Sequence, residues 1–323
     1  MPKILHTARY TGTPWEILTN VIPDGFTVET LEEATYESLI RQCADADYLL
    51  VSGRLPIDEG VLSAATKLKM IQRTGVGTEM LDVEAIKRHS IPVYVNAGVN
   101  ARSVAEHTLT LMLCCLKNIP QIDRQVKNGI WKKQQTGLAC NELYGKTVGL
   151  VGMGAIGRQV ALYLKAFGAR VIYTDLYSLS EEQEEDLSVT YVPSFEALLP
   201  QVDMLSFHCP LTKDNQDMLN TETIKLMKDG STVVNTARGK LIEPDALFDA
   251  LKSGKMRAAA LDVHYEEPIK EAYRLAELDN VILTPHIGGL TYESFYNMMA
   301  GAMNNIHLFE DKQFIQIENK QFL

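Results

Sequence analysis

The run Gly152-Met-Gly154-Ala-Ile-Gly157 directly follows an apolar stretch, Val148–Val151, and opens a helical one, Arg158–Ala166. No other feature of the chain restricts its fold as tightly. The first glycine permits a tight strand-to-helix turn, the second lets backbone approach a pyrophosphate, and the third lets helix and strand pack closely. Amide groups at the helix start then face phosphate charge. The turn residues Gly152, Gly154, Ala155, Ile156 and Gly157 are therefore candidates for holding a dinucleotide. Asp175 ends the next apolar run, 18 residues after Gly157. An acid there accepts hydrogen bonds from ribose hydroxyls and repels a 2′-phosphate, so NAD is expected rather than NADP. The next four residues, Leu176 to Leu179, contain no Arg or Lys to reverse that choice.

The apolar pattern around this turn predicts two α/β domains, each a doubly wound, Rossmann-like parallel sheet. Tyr48–Val51, Met70–Ile71 and Val93–Val95 read as strand cores, with helical spacing over Tyr36–Cys43 and Val83–Arg88. From Arg102 to Leu116 the residues Val104, Leu109, Leu111, Met112 and Leu116 predict one long, largely buried helix. A polar stretch, Lys127 to Glu142, contains Trp131 and suggests a hinge or an interface arm. Further strands are expected at Thr147–Val151, Arg170–Thr174, Met204–His208, Thr232–Asn235, Ala258–Leu261 and Val281–Thr284. The acidic run Glu181–Asp186 reads as a solvated face. Helical periodicity over Tyr292–Leu308 predicts a tail helix that packs on the first domain. The expected division is a cofactor domain, 101–289, inserted in a substrate domain formed by 1–100 and 290–323.

Charge and cysteine content narrow the function classes. With a net charge of −10, nucleic-acid binding is not expected, because phosphate backbones are bound by clustered Lys and Arg. Five cysteines, without a CxxC pair, predict reduced thiols in a cytoplasmic protein rather than disulfides or a zinc site, and no metal is expected. The first ten residues are too polar for a signal peptide, and no apolar run nears the roughly 20 residues of a membrane span. No membrane partner is expected.

Three later stretches carry unusual residues at predicted strand ends, where doubly wound sheets bind ligands. They are Asn235-Thr-Ala-Arg238-Gly239, Leu261-Asp262-Val-His264-Tyr-Glu266-Glu267-Pro268 and Thr284-Pro-His286-Ile-Gly288-Gly289. With the glycine turn, and with Arg73-Thr-Gly-Val-Gly77, Ser103-Val-Ala-Glu106, Glu142-Leu-Tyr-Gly145-Lys146-Thr and His208-Cys-Pro210-Leu-Thr212, the chain resembles the D-isomer-specific 2-hydroxyacid dehydrogenase family. It is most similar to the phosphoglycerate-dehydrogenase-like branch.

The resemblance implies an NAD-dependent dehydrogenase that exchanges a hydride with a small 2-hydroxy or 2-oxo acid. Arg238, Glu267 and His286 would be its catalytic residues. These residue types suit the chemistry. Reduction of a 2-oxo acid leaves an oxygen that needs a proton, which a histidine supplies near neutral pH. Glu267 would favour the imidazolium and orient the ring. The Arg238 fork would hold a carboxylate and polarise the reacting carbonyl. His264 and Tyr265 depart from the family's commoner aromatic-then-acid pattern.

By the same resemblance, Asp262 would lie near the nicotinamide amide, Thr236 and Ala237 near its ribose, and Val104 against its ring. Cys209 and Pro210 would border the adenine, and Arg238, His286, Gly288 and Gly289 would complete the cofactor set. Val76 and Gly77 would offer amides to the substrate carboxylate. Ser52, Gly53 and Arg54 would select the substrate together with Arg238. Phosphoglycerate-type members often place Arg where Ser52 stands, which argues against a phosphorylated substrate unless Arg54 or Arg73 compensates. The resemblance further implies a homodimer formed through the cofactor domain, and without a long C-terminal extension no appended regulatory domain is expected. A rival reading on the same fold is an NAD-sensing interaction protein of the corepressor type. Formate dehydrogenases pair Gln with His where this chain has Glu267.

Overall fold

A computed structural model describes residues 1–52, 55–269, 273–317 and 320–322. The chain forms two compact units, Met1–Asn100 with Leu290–Leu323, and Ala101–Gly289. In the first unit, strands β1 (Lys3–His6), β2 (Thr27–Thr30), β3 (Tyr48–Val51), β4 (Met70–Arg73) and β5 (Val93–Tyr94) pair in parallel. Helices α1 (Thr13–Asn20), α2 (Tyr36–Cys43), α3 (Glu59–Ala64) and α4 (Val83–Arg88) alternate with them. Side-chain oxygens start three of these helices. Thr35, Asp58 and Asp82 accept from the amides of Ser38, Val61 and Ala85, satisfying donors that a helix start leaves open.

In the second unit α5 (Ala101–Lys117), α6 (Ile119–Lys127) and α7 (Lys133–Leu138) come first. There follow β6 (Thr147–Val151), α8 (Ala155–Ala166), β7 (Arg170–Thr174), α9 (Glu181–Leu187), β8 (Val189–Tyr191), α10 (Phe195–Leu198) and β9 (Met204–Phe207). The series ends with α11 (Thr221–Leu226), β10 (Ser231–Asn235), α12 (Pro244–Ser253), β11 (Met256–Leu261) and β12 (Val281–Leu283). These strands form a parallel sheet in the order β12-β11-β10-β9-β6-β7-β8. The chain then returns to the first unit as α13 (Tyr292–Glu310) and β13 (Lys320–Phe322), which runs antiparallel to β5 and completes the order β13-β5-β4-β3-β1-β2.

Strand side chains alternate between two buried faces, the signature of a covered parallel sheet. In β3, Leu49 and Val51 join the core under α2 to α4, whereas Tyr48 and Leu50 join the core that α13 covers. The buried stripe of α13 (Phe295, Met298, Met299, Ala302, Met303 and Ile306) follows helical spacing. Fully burying one such side chain is worth about 1.5–3 kcal/mol. In β10 the same alternation sends Val233 to one core and Val234 to the other. The acidic run forms α9, largely exposed and started by a Ser180–Gln183 capping box. The polar stretch after Lys127 contains α7, which buries none of its residues.

Candidate active site

The order of the second sheet reverses at β6, whose neighbours are β7 and β9. Loops leaving β6 and β9 therefore part there and leave a crevice, the usual ligand position of such sheets. The loop after β6 is the glycine turn. Gly152 has φ +101°, and a Cβ on it would lie 2.7 Å from the Cys209 nitrogen. A Cβ on Gly157 would lie 2.2 Å from the Gly152 carbonyl oxygen. Backbone meets backbone at both positions, so neither can yield to a side chain. Gly154, by contrast, starts α8 without a side-chain cap and has open space where its Cβ would be. Uncapped amides at a helix start, facing open space, fit a pyrophosphate.

Asp175 lies one residue beyond β7. Its Oδ2 accepts from the Met153 amide at 2.6 Å and its Oδ1 from the Leu176 amide at 2.6 Å. The carboxylate thus braces the glycine turn and keeps further lone pairs for a ribose. Beyond β9, Asn215 donates to the Pro210 carbonyl at 2.8 Å. Burial pushes the neighbouring Cys209 thiol up to about 11, which keeps it protonated and suits packing rather than reaction. These residues fit NAD: a backbone cradle for phosphate, an acid for a ribose and a neutral wall beside them.

Beyond β10, Asn235 is fully buried. Its amide donates to the Arg238 carbonyl at 2.8 Å and its oxygen accepts from the Ala237 amide at 3.0 Å. The side chain therefore clamps the turn Thr236–Arg238. Arg238 Nη1 donates to the Ala237 carbonyl at 2.8 Å. Helix α5 reaches the same edge. Thr108 Oγ1 lies 2.9 Å from Thr236 Oγ1, and Ser103 donates to the Gly288 carbonyl at 2.7 Å. Val104 stands on this face of the helix and is buried.

The ends of β11 and β12 are knotted by Asp262. Its Oδ1 accepts from Thr284 Oγ1 at 2.6 Å and from the Ile287 amide at 2.9 Å, and its Oδ2 from the Gly288 amide at 2.8 Å. His107 Nε2 lies 3.4 Å from Oδ1. Burial raises the Asp262 carboxyl, yet hydrogen bonds from His107, Thr284 and the two amides outweigh it and hold the group far below the usual carboxylate range. Within the loop so held, His286 adopts φ +58°. Its Nδ1 lies 2.8 Å from Glu267 Oε2. Glu267 Oε1 accepts from the His264 amide at 2.9 Å. Burial pushes the Glu267 carboxyl up, but the bonds from His286 and His264 prevail and leave it lowered. An ionised carboxylate only accepts, so His286 carries its hydrogen on Nδ1 and presents Nε2 on the far side of the ring. The buried His264 lies 2.9 Å through Nε2 from the Thr284 carbonyl, bracing both ends of this pair.

The second unit thus gathers Arg238, Glu267, His286, the glycine turn, Asp175, Cys209, Pro210, Thr236, Ala237, Asp262, Gly288 and Gly289 on the carboxyl edge of one sheet, beside Val104. Three of its polar residues escaped sequence reasoning as site residues: His107, Thr284 and Asn235. Asn235 had a visible signal, a polar residue ending a wholly buried strand.

In the first unit, Ser52 follows β3, and Thr74–Gly77 follows the adjacent strand β4. The Thr74 turn is pinned by the buried Asn96, which donates to the Thr74 carbonyl at 3.4 Å and the Met298 carbonyl at 2.8 Å. Val76 is exposed and Gly77 partly so, with backbone available to an anion. Gly53 and Arg54 lie outside the described residues.

A family model described as D-isomer specific 2-hydroxyacid dehydrogenase, NAD binding domain, matches residues 109–288. The chain is 43% identical over 268 residues to a D-3-phosphoglycerate dehydrogenase of Methanocaldococcus jannaschii, covering 83% of this chain and 50% of that protein. It is 39% identical over 267 residues to a hydroxypyruvate reductase of Thermotoga maritima, covering 82% of this chain and 85% of the relative. The solved structure of the TT0316 protein from Thermus thermophilus matches with a TM-score of 0.88 at 31% identity, over 98% of this chain and 99% of that one. The chain spans about half the length of the two phosphoglycerate dehydrogenases it matches at 43% and 38% identity.

Proposed function

Since the chain belongs to the D-isomer-specific 2-hydroxyacid dehydrogenase family, we propose that it interconverts a small 2-oxo acid and its D-2-hydroxy acid with NAD. The observation that carries this reading is the 2.8 Å Glu267–His286 pair, fixed by Asp262 at the same sheet edge as Arg238. The glycine turn would hold NAD with Asp175 at its adenosine ribose, and Cys209, Pro210, Thr236, Ala237, Val104, Asp262, Arg238, His286, Gly288 and Gly289 would line its path. When bound, it provides hydride exchange at carbon 2 of the acid. Arg238 pairs with the acid's carboxylate and polarises the carbonyl through its planar fork. His286 gives the proton from Nε2 to the oxygen at carbon 2 during reduction, and takes it back during oxidation. Glu267 stabilises the charged ring between those events. Positioned proton transfer contributes typically about 10²–10⁴-fold in rate.

The amides of Val76 and Gly77 serve the substrate carboxylate, and Ser52 the far end of the acid, with Gly53 and Arg54 beside it in sequence. A neutral Ser52 favours acids without a phosphate. The corepressor-type reading is not favoured, since the named relatives are dehydrogenases and reductases. Among the described residues, no helix is long and apolar enough to cross a membrane. The five unpaired cysteines support the cytoplasm as the compartment. A second copy of the chain covers α6 and α7, which bury no residue and expose Trp131 and Leu138 beside Ile119, Val126 and Ile130. No nucleic acid or membrane enters this reading. The test is NADH oxidation, followed by absorbance, across glyoxylate, pyruvate and hydroxypyruvate. Oxidation with none of them refutes the assignment.

A further inference from the structure

His6, the last residue of β1, is fully buried. Its Nδ1 lies 3.0 Å from the Ala8 carbonyl, and its Nε2 lies 2.6 Å from the Ser52 hydroxyl. A carbonyl only accepts, so Nδ1 carries the hydrogen. Burial lowers the ring to about 4, keeping it neutral at physiological pH and leaving Nε2 with a lone pair. The Ser52 hydrogen must therefore point at His6. Tyr10, whose ring packs 4.1 Å from that of His6, donates its hydroxyl to Ser52 Oγ at 3.4 Å. Burial pushes the Tyr10 phenol up, so it stays a donor. Of the two Ser52 lone pairs, one receives Tyr10 and the other remains for a ligand.

Ser52 is partly exposed and ends the strand next to β4, whose following turn holds Val76 and Gly77. Neighbouring strands lie about 4.8 Å apart, close to the distance from a carboxylate oxygen to the carbon-3 oxygen in an extended three-carbon acid. We propose that His6 is a positioning residue that makes Ser52 an acceptor, so that the site selects 2-oxo acids bearing a free hydroxyl on carbon 3. This rests on the dehydrogenase reading and adds the substrate class to it. A carbon-3 hydroxyl donates to the open lone pair. A methyl group leaves that lone pair unmatched. A carbon-3 phosphate brings only acceptor oxygens and about −1.5 to −2 charges, and meets a lone pair where it needs a donor.

The test compares kcat/KM for hydroxypyruvate, pyruvate and 3-phosphohydroxypyruvate with NADH, in the full chain and two variants, with glyoxylate as a fourth acid. Ratios within one variant cancel any general loss of activity. The full chain should favour hydroxypyruvate over pyruvate by about tenfold or more, through KM, as one satisfied hydrogen bond predicts. Ser52→Ala, at a partly exposed position, should bring that ratio close to one. His6→Phe should lower that ratio only in part, since the released hydroxyl keeps its lone pair but is no longer held as an acceptor, and should improve the phosphorylated acid relative to hydroxypyruvate by about tenfold, because the freed Ser52 hydrogen turns outward. An active full chain with no such preference overturns the inference and leaves the dehydrogenase reading standing. So does a preference that survives Ser52→Ala. Loss in Ser52→Ala with an unmoved ratio of the phosphorylated acid to hydroxypyruvate in a folded His6→Phe removes His6 from the account. A full chain inactive on all four acids overturns the dehydrogenase reading, and this inference with it.

Discussion

Replacing Asp262 with Asn changes one atom in a fully buried knot and should disturb stability and catalysis together. The carboxylate accepts from Thr284 Oγ1, from the Ile287 amide and, on its other oxygen, from the Gly288 amide. An Asn oxygen can retain the first two. Its NH2 then faces the Gly288 amide at the former 2.8 Å, donor against donor. An unsatisfied buried donor costs about 1–3 kcal/mol, and the two retained bonds lose their charge, about 1 kcal/mol each. The expected loss is roughly 3–5 kcal/mol in urea unfolding of the NAD-free protein. Its pH dependence has a definite sign. The folded carboxyl sits far below the unfolded value of about 3.9, so its contribution is complete above that value and disappears as pH falls through the folded one. The gap between the two proteins should be flat from about pH 5 upward and should narrow below about pH 4. His286 lies within the loop that this knot holds, and a displacement of about 1 Å is worth up to about 10²-fold in rate. Turnover with NADH and a 2-oxo acid should fall by about that factor. An Asp262→Asn protein with unchanged turnover and unfolding midpoint would refute the claim that Asp262 holds the loop.

Three further changes probe the site. His286→Asn should lower kcat by about 10²–10⁴-fold while NADH affinity, read by fluorescence titration, is kept; undiminished turnover ends its role as proton carrier. Asp175→Ala should weaken NADH and admit NADPH, moving the ratio of their kcat/KM values by about tenfold or more, the effect of about 1.4 kcal/mol; an unmoved ratio removes Asp175 from cofactor choice. Gly157→Ala forces a Cβ to within 2.2 Å of the Gly152 carbonyl, and such overpacking costs about 1–3 kcal/mol. Its melting temperature should drop, with a smaller upward shift on adding NAD; a wild-type melting curve and NAD response contradict the close approach.

What could be read from the sequence was what short spacing decides. A glycine turn needs only the residues on either side of it, and an acid at the next strand end is fixed by one helix and one strand. The strands buried on both faces, such as Tyr48–Val51 and Val148–Val151, announce themselves as continuous apolar runs. The edge strands β2 and β8 do not, because Thr27–Thr30 is only half covered and Val189–Tyr191 has three residues. Pairings between distant residues were hidden for a related reason. His107 meets Thr284 across 177 positions, and His6 meets Ser52 across 46. Only the order of strands and the lie of α5 bring such residues together, and neither follows from periodicity. His264 illustrates a departure with a use. Its place in the family pattern made it an oddity, whereas its buried ring and amide brace the Thr284 carbonyl and Glu267.

The return of α13 to the first unit sets a timetable for the newborn chain. Residues Ala101–Gly289 are contiguous, so everything their sheet requires has been synthesised once Gly289 emerges from the ribosome. The first unit, although begun earlier, must wait. One face of its sheet, with Ile4, Tyr48, Leu50 and Met70, has only Ile17 and Leu18 of α1 against it until Phe295 to Ile306 arrive. Domains generally fold as units during synthesis, the earlier first; here the later-begun unit can finish first, and the amino-terminal strands spend that interval with an apolar face that invites chaperones.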